Sequence, residues 1–254
     1  GKLPTQTGLI KHTPFRSIHH TASTVSLVGG GSIPRPGEIS LAHCGVLFLD
    51  ELLEFPRSSL DCLRQPLEDG RIHVTRAAAA VCFPANFMLV AATNPCPCGY
   101  YNDPVKKCVC TPSQYRIYHK KLSGPLLDRI DIVISIPRLP IEKITDTTPQ
   151  ETSKEIRFKI ADARLAQYKR LAQKGSPQVP NGKLDHTHMH DLCPLTAGAK
   201  KLLAAGFKTD HYSGRSYYKI IKVARTIADL AGQEIIREEE IAEALQYRYR
   251  EEEN

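Results

Sequence analysis

Two acidic side chains stand together at Asp50-Glu51, directly after the apolar run Gly45-Val46-Leu47-Phe48-Leu49. A run that does not alternate reads as a strand buried on both faces, and open α/β sheets bind ligands at the carboxyl ends of such strands. Paired carboxylates there suit phosphoryl transfer. One can hold Mg²⁺ directly or through water, and the other can polarise the attacking water. The start of an ordinary helix also favours such a pair, because acids offset its dipole. A second apolar run, 87–92, leads into Thr93-Asn94. A short amide at the tip of a neighbouring strand can orient the same water. Arg129, within Gly124-Pro125-Leu126-Leu127-Asp128-Arg129-Ile130-Asp131, precedes a third apolar run, Ile132–Ile136. An arginine so placed contributes about 10³–10⁵ in rate to phosphoryl transfer. The alternative is a structural arginine paired with Asp128 or Asp131.

Parallel strands flanked by helices would position these groups. Leu60, Leu63 and Leu67 repeat at helical spacing, so 57–67 reads as a helix. Ile72, Val74, Val81 and Phe83 alternate, so 71–83 reads as a β-hairpin. Pro137, Pro140 and the 146–149 stretch mark a linker over 141–150. Beyond it Ile156, Ile160 and Ala163 repeat at helical spacing, as do Ile220, Val223 and Ile227, and 241–249 closes the chain as a further helix. The expected architecture is therefore an α/β core over 1–140 and an all-helical region over 151–254. Carboxylate pair, amide and arginine, in that order along one α/β core, point to an AAA+ ATPase core.

Cys96, Cys98, Cys108 and Cys110 form a compact set of four sulfurs. Closely spaced thiolates suit tetrahedral Zn²⁺ at about 2.3 Å per bond. Cys-x-Cys is a less usual spacing than Cys-x₂-Cys, and reduced thiols are the alternative. The role of a metal would be to pin the loop after Asn94. Cys44, Cys62, Cys82 and Cys193 stand among apolar residues and read as inert. His186, His188 and His190 alternate in a polar stretch and are a weak metal candidate, and His19-His20 reads as an exposed or packed pair.

The chain resembles the magnesium-chelatase-related AAA+ proteins, and within them the ComM or YifB-like family. Gly29–Ser40, the strand ending Asp50-Glu51, Asn94-Pro95-Cys96-Pro97-Cys98-Gly99, Leu126–Asp131, Ser213-Gly214-Arg215 and Val223–Leu230 carry the likeness. It implies that Asp50 and Glu51 are the Walker B pair and Asn94 sensor 1. It further implies Arg129 as a finger acting on a neighbouring subunit and Arg215 as sensor 2, with Lys222 as the reserve. ATP and Mg²⁺ are the implied cofactors, a homo-hexameric ring the implied assembly, and DNA branch migration in the cytoplasm the implied work. A chelatase-type motor that remodels a protein partner is the alternative. No Gly-x₄-Gly-Lys-Ser/Thr phosphate cradle occurs in the sequence. The family places that cradle upstream, so the AAA+ core is expected to be N-terminally truncated here, with ATP hydrolysis belonging to a longer parent.

The charge is compatible with a polyanionic partner. Residues 233–254 hold eight Glu against three Arg, so the formal net +7 becomes +12 once that net −5 is set aside. Arg35 in the Gly-rich loop and Arg76 in the hairpin, beside small alanines, are the bases best placed to meet a phosphate backbone without reading sequence. Eight Cys with no opening secretory pattern fit a reducing compartment. No apolar run reaches the ~18–20 residues of a membrane span.

Overall fold

The computed structural model describes residues 12–31, 33–76, 79–140, 143, 145, 148, 151–209 and 213–249. It divides into two compact units, Gly1–Arg129 and Ile130–Asn254.

The first unit is built on three parallel strands, β1 (Phe15–Ile18), β4 (Val46–Leu49) and β7 (Met88–Ala91), with β4 in the middle. Ile18 pairs with Leu49, and Leu49 pairs with Ala91. Gly45 starts the central strand for a steric reason. Any Cβ there would lie 2.0 Å from the Pro14 carbonyl oxygen, which accepts from Val46 N at 2.8 Å. Leu47 and Leu49 are fully buried, and each contributes about 1.5–3 kcal/mol through burial. The outer strand departs from expectation. Met88 and Val90 of β7 are exposed, 61% and 40%, where the apolar run suggested burial on both faces.

Around this sheet lie short helices: α1 (Thr24–Val28), α2 (Glu38–Leu41), α3 (Arg57–Asp61), α4 (Arg64–Asp69), α5 (Pro112–His119) and α6 (Gly124–Leu127). The single helix expected over 57–67 is two, α3 and α4, separated by Cys62-Leu63. The Gly-rich loop folds as a ribbon in which β2 (Gly29–Gly30) pairs with β3 (Arg35–Pro36). Gly29 has φ 98° and no room for a Cβ, which would meet the Arg35 carbonyl oxygen at 2.3 Å. The expected hairpin is present as β5 (Arg71–Arg76) and β6 (Ala79–Pro84), pairing Ile72 with Phe83 and Val74 with Val81.

Ile132–Ile136 is not a strand. The three isoleucines are 52–78% exposed, while Val133 N donates to the Tyr247 carbonyl at 2.8 Å and Arg248 holds the Ile130 carbonyl at 2.8 Å. The segment is thus bonded to the end of the closing helix rather than to a sheet.

The second unit is helical: Ser153–Gln173, Met189–Leu192, Ala197–Thr209, Gly214–Leu230 and Glu238–Gln246. Its apolar core gathers Leu171, Leu192, Leu203, Ile220, Ala224 and Ile241. Ile156 and Ile160, expected on a buried stripe, are 42% and 50% exposed. At the centre lies a polar network. Asp229 accepts from Arg170 at 2.6 and 3.0 Å, from Arg225 Nε at 3.1 Å and from Asn181 at 2.8 Å. Arg225 is fully buried and also donates to the Gln233 and Glu234 carbonyls. This network accounts for part of the Val223–Leu230 motif: Arg225 and Asp229 close the helix onto the chain that follows it.

Candidate active site

The carboxylate pair leaves the sheet through a local irregularity. Ala92 N donates to the Leu49 carbonyl at 2.9 Å, and the Ala92 carbonyl accepts from Leu52 N at 2.8 Å. A regular parallel ladder would use Glu51 N there, so one extra residue is accommodated, as in a β-bulge beside an active site. Glu51 absorbs it with left-handed backbone angles, φ 51° and ψ 47°. For a residue with a Cβ this costs about 1–3 kcal/mol. The freed Glu51 N–H donates to Asp50 Oδ1 at 2.9 Å. Both carboxylates are thereby displayed at the carboxyl end of the central strand, Asp50 exposed and Glu51 partly so.

Asn94 is exposed in the loop three residues after β7, the strand that pairs with β4, and Thr93 Oγ1 donates to its carbonyl at 3.3 Å. On the other flank is a residue pair that sequence reasoning gave no role. His20 Nδ1 lies 2.8 Å from Glu51 Oε2, and the His19 ring packs on His20 with centroids 4.1 Å apart. Register is the signal that could have found it. Ile18 pairs with Leu49, so two residues further on His20 falls beside Glu51.

The four sulfurs come together. Cys96 Sγ lies 3.4 Å from Cys98 and 3.7 Å from Cys108, Cys98 lies 3.5 Å from Cys108, and all four lie within 4.8 Å of one another. A tetrahedron with 2.3 Å bonds has edges of about 3.8 Å, whereas a disulfide needs about 2.05 Å. The set therefore fits a metal ion and not a bridged pair. N–H groups of Val109 and Tyr100 pull the Cys98 thiol down to about 6, while burial pushes Cys110 up to about 12. Metal binding to such a set displaces the protons its sulfurs carry. Of the other four cysteines only Cys193 is buried, its thiol pushed up to about 11 by burial. Cys44 and Cys82 are exposed, contrary to the expectation of apolar surroundings.

The helix that begins where the cluster ends braces the carboxylate loop. Thr111 caps α5 reciprocally with Gln114. From α5, Tyr118 is buried, its hydroxyl pushed up by burial and hydrogen-bonded to Thr93 and Glu54. His119 Nε2 sits 2.9 Å from the Pro95 carbonyl, and Lys121, just past the helix, donates to the Leu53 carbonyl at 2.7 Å. One helix is therefore tied to the loops after β4 and β7.

The remaining candidates are distributed as follows. Arg129 donates to the Pro125 carbonyl at 2.6 Å and pairs with Glu68. Arg215 is exposed in the first turn of Gly214–Leu230, where a helix N-terminus favours anions. Lys222, on the same helix, donates to the Gly182 carbonyl at 3.3 Å, and burial lowers its pKa. Arg35 is exposed on the Gly-rich ribbon. Arg76 ends β5 opposite Ala79, and its side chain lies outside the described residues, as do most of the linker 141–150 and the segment 1–11. His186, His188 and His190 form no metal-type group among the described residues, whereas His19, His20 and Glu51 bring ligand atoms within 4.8 Å of one another.

Residues 1–144 match the family described as magnesium chelatase, subunit ChlI, and residues 150–248 match the C-terminal part of that subunit. The chain is 45% identical over 239 residues to the competence protein ComM of Haemophilus influenzae, covering 94% of this chain and 45% of that protein. It is 43% identical over 239 residues to the uncharacterized protein YifB of Escherichia coli, covering 94% and 46%. An uncharacterized protein of Mycobacterium tuberculosis is 39% identical over 249 residues, covering 98% and 48%. The chain thus spans about half the length of the curated relatives it matches. Among the described residues no helix is long and apolar enough to cross a membrane.

Proposed function

The chain belongs to the family of the magnesium chelatase subunit ChlI, and from that premise we propose that it is part of a ComM-like, ATP-hydrolysing motor that works on DNA as a ring. The observation that carries this reading is the Asp50-Glu51 bulge at the tip of the central parallel strand, with Asn94 in the loop after the next strand. Asp50 is the exposed hard-oxygen ligand for Mg²⁺, which when bound screens the charge of the phosphates. Glu51 takes the proton of the attacking water, and Asn94 orients that water. Arg129 acts on the nucleotide of a neighbouring subunit, giving up Glu68 to do so, and Arg215 reaches phosphate from its helix N-terminus with Lys222 in reserve. The deciding experiment is ATP turnover by the full-length protein with and without branched DNA. Stimulation by DNA supports the motor; turnover stimulated only by a protein partner favours the chelatase-type remodeller.

DNA contact is assigned to Arg35 and Arg76, on two slim β ribbons of a body whose net charge is +12 without its acidic C-terminal stretch. Contacts of this kind release counterions and read no sequence. In the full-length protein Arg76→Ala should weaken binding evenly across sequences and flatten the salt slope by about one unit per lost contact. Loss of basal ATP turnover with an unchanged salt slope would move Arg76 from the DNA to the nucleotide site.

The four-sulfur set is assigned to structural Zn²⁺. Elemental analysis of metal-replete protein is expected to find one zinc per chain, lost in the double variant Cys108→Ser, Cys110→Ser. Zinc retained by that variant would take the metal away from these sulfurs.

A further inference from the structure

Between Pro95 and Leu127 the chain has five bases against the single acid Asp103, with four tyrosines among them. Tyr118 and Lys121 brace the carboxylate loop, but the others have no part in the chemistry proposed for Asp50, Glu51 and Asn94. We propose that the four-sulfur loop and α5 form a docking surface for single-stranded DNA, taking unpaired bases on the tyrosines and phosphates on the bases beside them. The inference is independent of ATP hydrolysis and adds a second kind of DNA contact to that of Arg35 and Arg76.

Helical spacing sorts these groups into two neighbouring stripes. Tyr115 and His119 are four apart on α5, and their ring centroids lie 4.3 Å apart. Tyr101 joins the row from the loop, 4.4 Å from Tyr115. Arg116 and Lys120 are also four apart, one position further round the helix, and both are exposed. The three rings are half-buried, so they are set in place before a ligand arrives and lose little freedom on binding it. The loop adds Lys106 and Lys107, both exposed, with Lys106 Nζ 4.0 Å from the centre of the Tyr100 ring.

Charge selects a polyanion. Lys106, Lys107, Arg116 and Lys120 form no ion pair among the described residues, and the Asp103 carboxylate accepts from the Val105 and Lys106 N–H groups, both at 2.8 Å. The rings select a single strand. A duplex keeps its base faces inside its own stack and offers such a surface phosphate alone, whereas an unpaired base that packs on an aromatic side chain gains about 5- to 150-fold in affinity. Val109 and Ile117, 80% and 64% exposed on the same loop and helix, add apolar surface that a phosphate backbone cannot use.

Anisotropy titrations of the full-length protein test the surface with three labelled probes: an oligo-dT strand, an abasic strand of the same length and a duplex of the same length. The wild type should bind oligo-dT at least about fivefold more tightly than the abasic strand. The double variant Tyr101→Ala, Tyr115→Ala should lose about 5- to 150-fold in oligo-dT affinity while its duplex affinity stays within about twofold. Tyr101→Phe with Tyr115→Phe keeps the ring faces and should bind oligo-dT as the wild type does. Arg116→Ala with Lys120→Ala, at exposed positions, should flatten the oligo-dT salt slope by about 0.7 per lost contact. Equal wild-type affinity for oligo-dT and the abasic strand overturns the proposal. So does a tyrosine-to-alanine variant that binds oligo-dT normally, or one that loses duplex and oligo-dT alike. If that variant fails to fold, the Arg116 and Lys120 variant decides, and an unchanged oligo-dT salt slope overturns the surface. A protein that binds duplex but not oligo-dT loses this surface and keeps the DNA motor, whereas Arg76→Ala should weaken both probes.

Discussion

Glu51→Gln in the full-length protein is expected to reduce ATP turnover by about 10²–10⁴-fold while leaving nucleotide affinity within a small factor of wild type. The amide is nearly the same size and keeps an oxygen for polar contacts, but it cannot take a proton from water. Nucleotide affinity should persist because the residue assigned to Mg²⁺ is its neighbour Asp50, which the substitution leaves alone. The left-handed backbone at Glu51 is also tolerated by glutamine at similar cost, so the bulge should survive. Turnover and equilibrium binding of a nucleotide analogue, measured on the same preparation, check both halves. A variant that hydrolyses ATP at the wild-type rate would remove Glu51 from the mechanism, and one that cannot bind would make its role structural.

The largest stability effect is expected far along the sequence from these groups, at Asp229. Its carboxylate is 1% exposed and satisfies two guanidinium groups and the Asn181 amide. Asp229→Ala leaves Arg170 and the fully buried Arg225 facing one another without an anion. Breaking a buried pair from one side typically costs about 3–5 kcal/mol. Chemical denaturation of the 254-residue chain, followed by helix content, should show the helical unit melting at markedly lower denaturant. Asp229→Asn, which keeps the shape and two acceptor lone pairs, should fall between. A loss below about 1 kcal/mol for the alanine variant would mean that water or relaxation replaces the carboxylate.

How far the sequence discloses all this depends on what each signal is made of. The runs 45–49 and 87–92 were readable as parallel strands because continuous apolar residues bounded by glycine and polar residues leave few alternatives, and β4 and β7 lie within them, in parallel register. The hairpin was readable from alternation. Phe15–Ile18 was not, since a four-residue strand with Arg and Ser in its middle carries neither pattern, and parallel pairing to β4 alone defines it. Ile132–Ile136 misled because strong β propensity says nothing of whether a neighbouring strand is available; backbone bonds to the closing helix took its place. At the site, Asp50-Glu51 and the four cysteines were visible because their chemistry is local. The His20–Glu51 contact was hidden because only strand register joins positions so far apart in sequence. The Arg170–Asp229–Arg225 network was hidden for a related reason: charged residues normally read as solvated surface.

The outer edge of β7 has a consequence for handling the chain at high concentration. Among the described residues no strand pairs with that edge, and its Met88 and Val90 are exposed, Met88 the more so. The strand has no charge, no proline and no bulge within Met88–Ala91, the devices by which natural edges discourage further pairing. Its row of backbone groups is a template that a second copy can extend, so crowding favours self-association through this edge. A charged residue facing outward at position 88 or 90 is the natural gatekeeper, since it blunts the template without touching Leu47, Leu49 or the carboxylates beyond them.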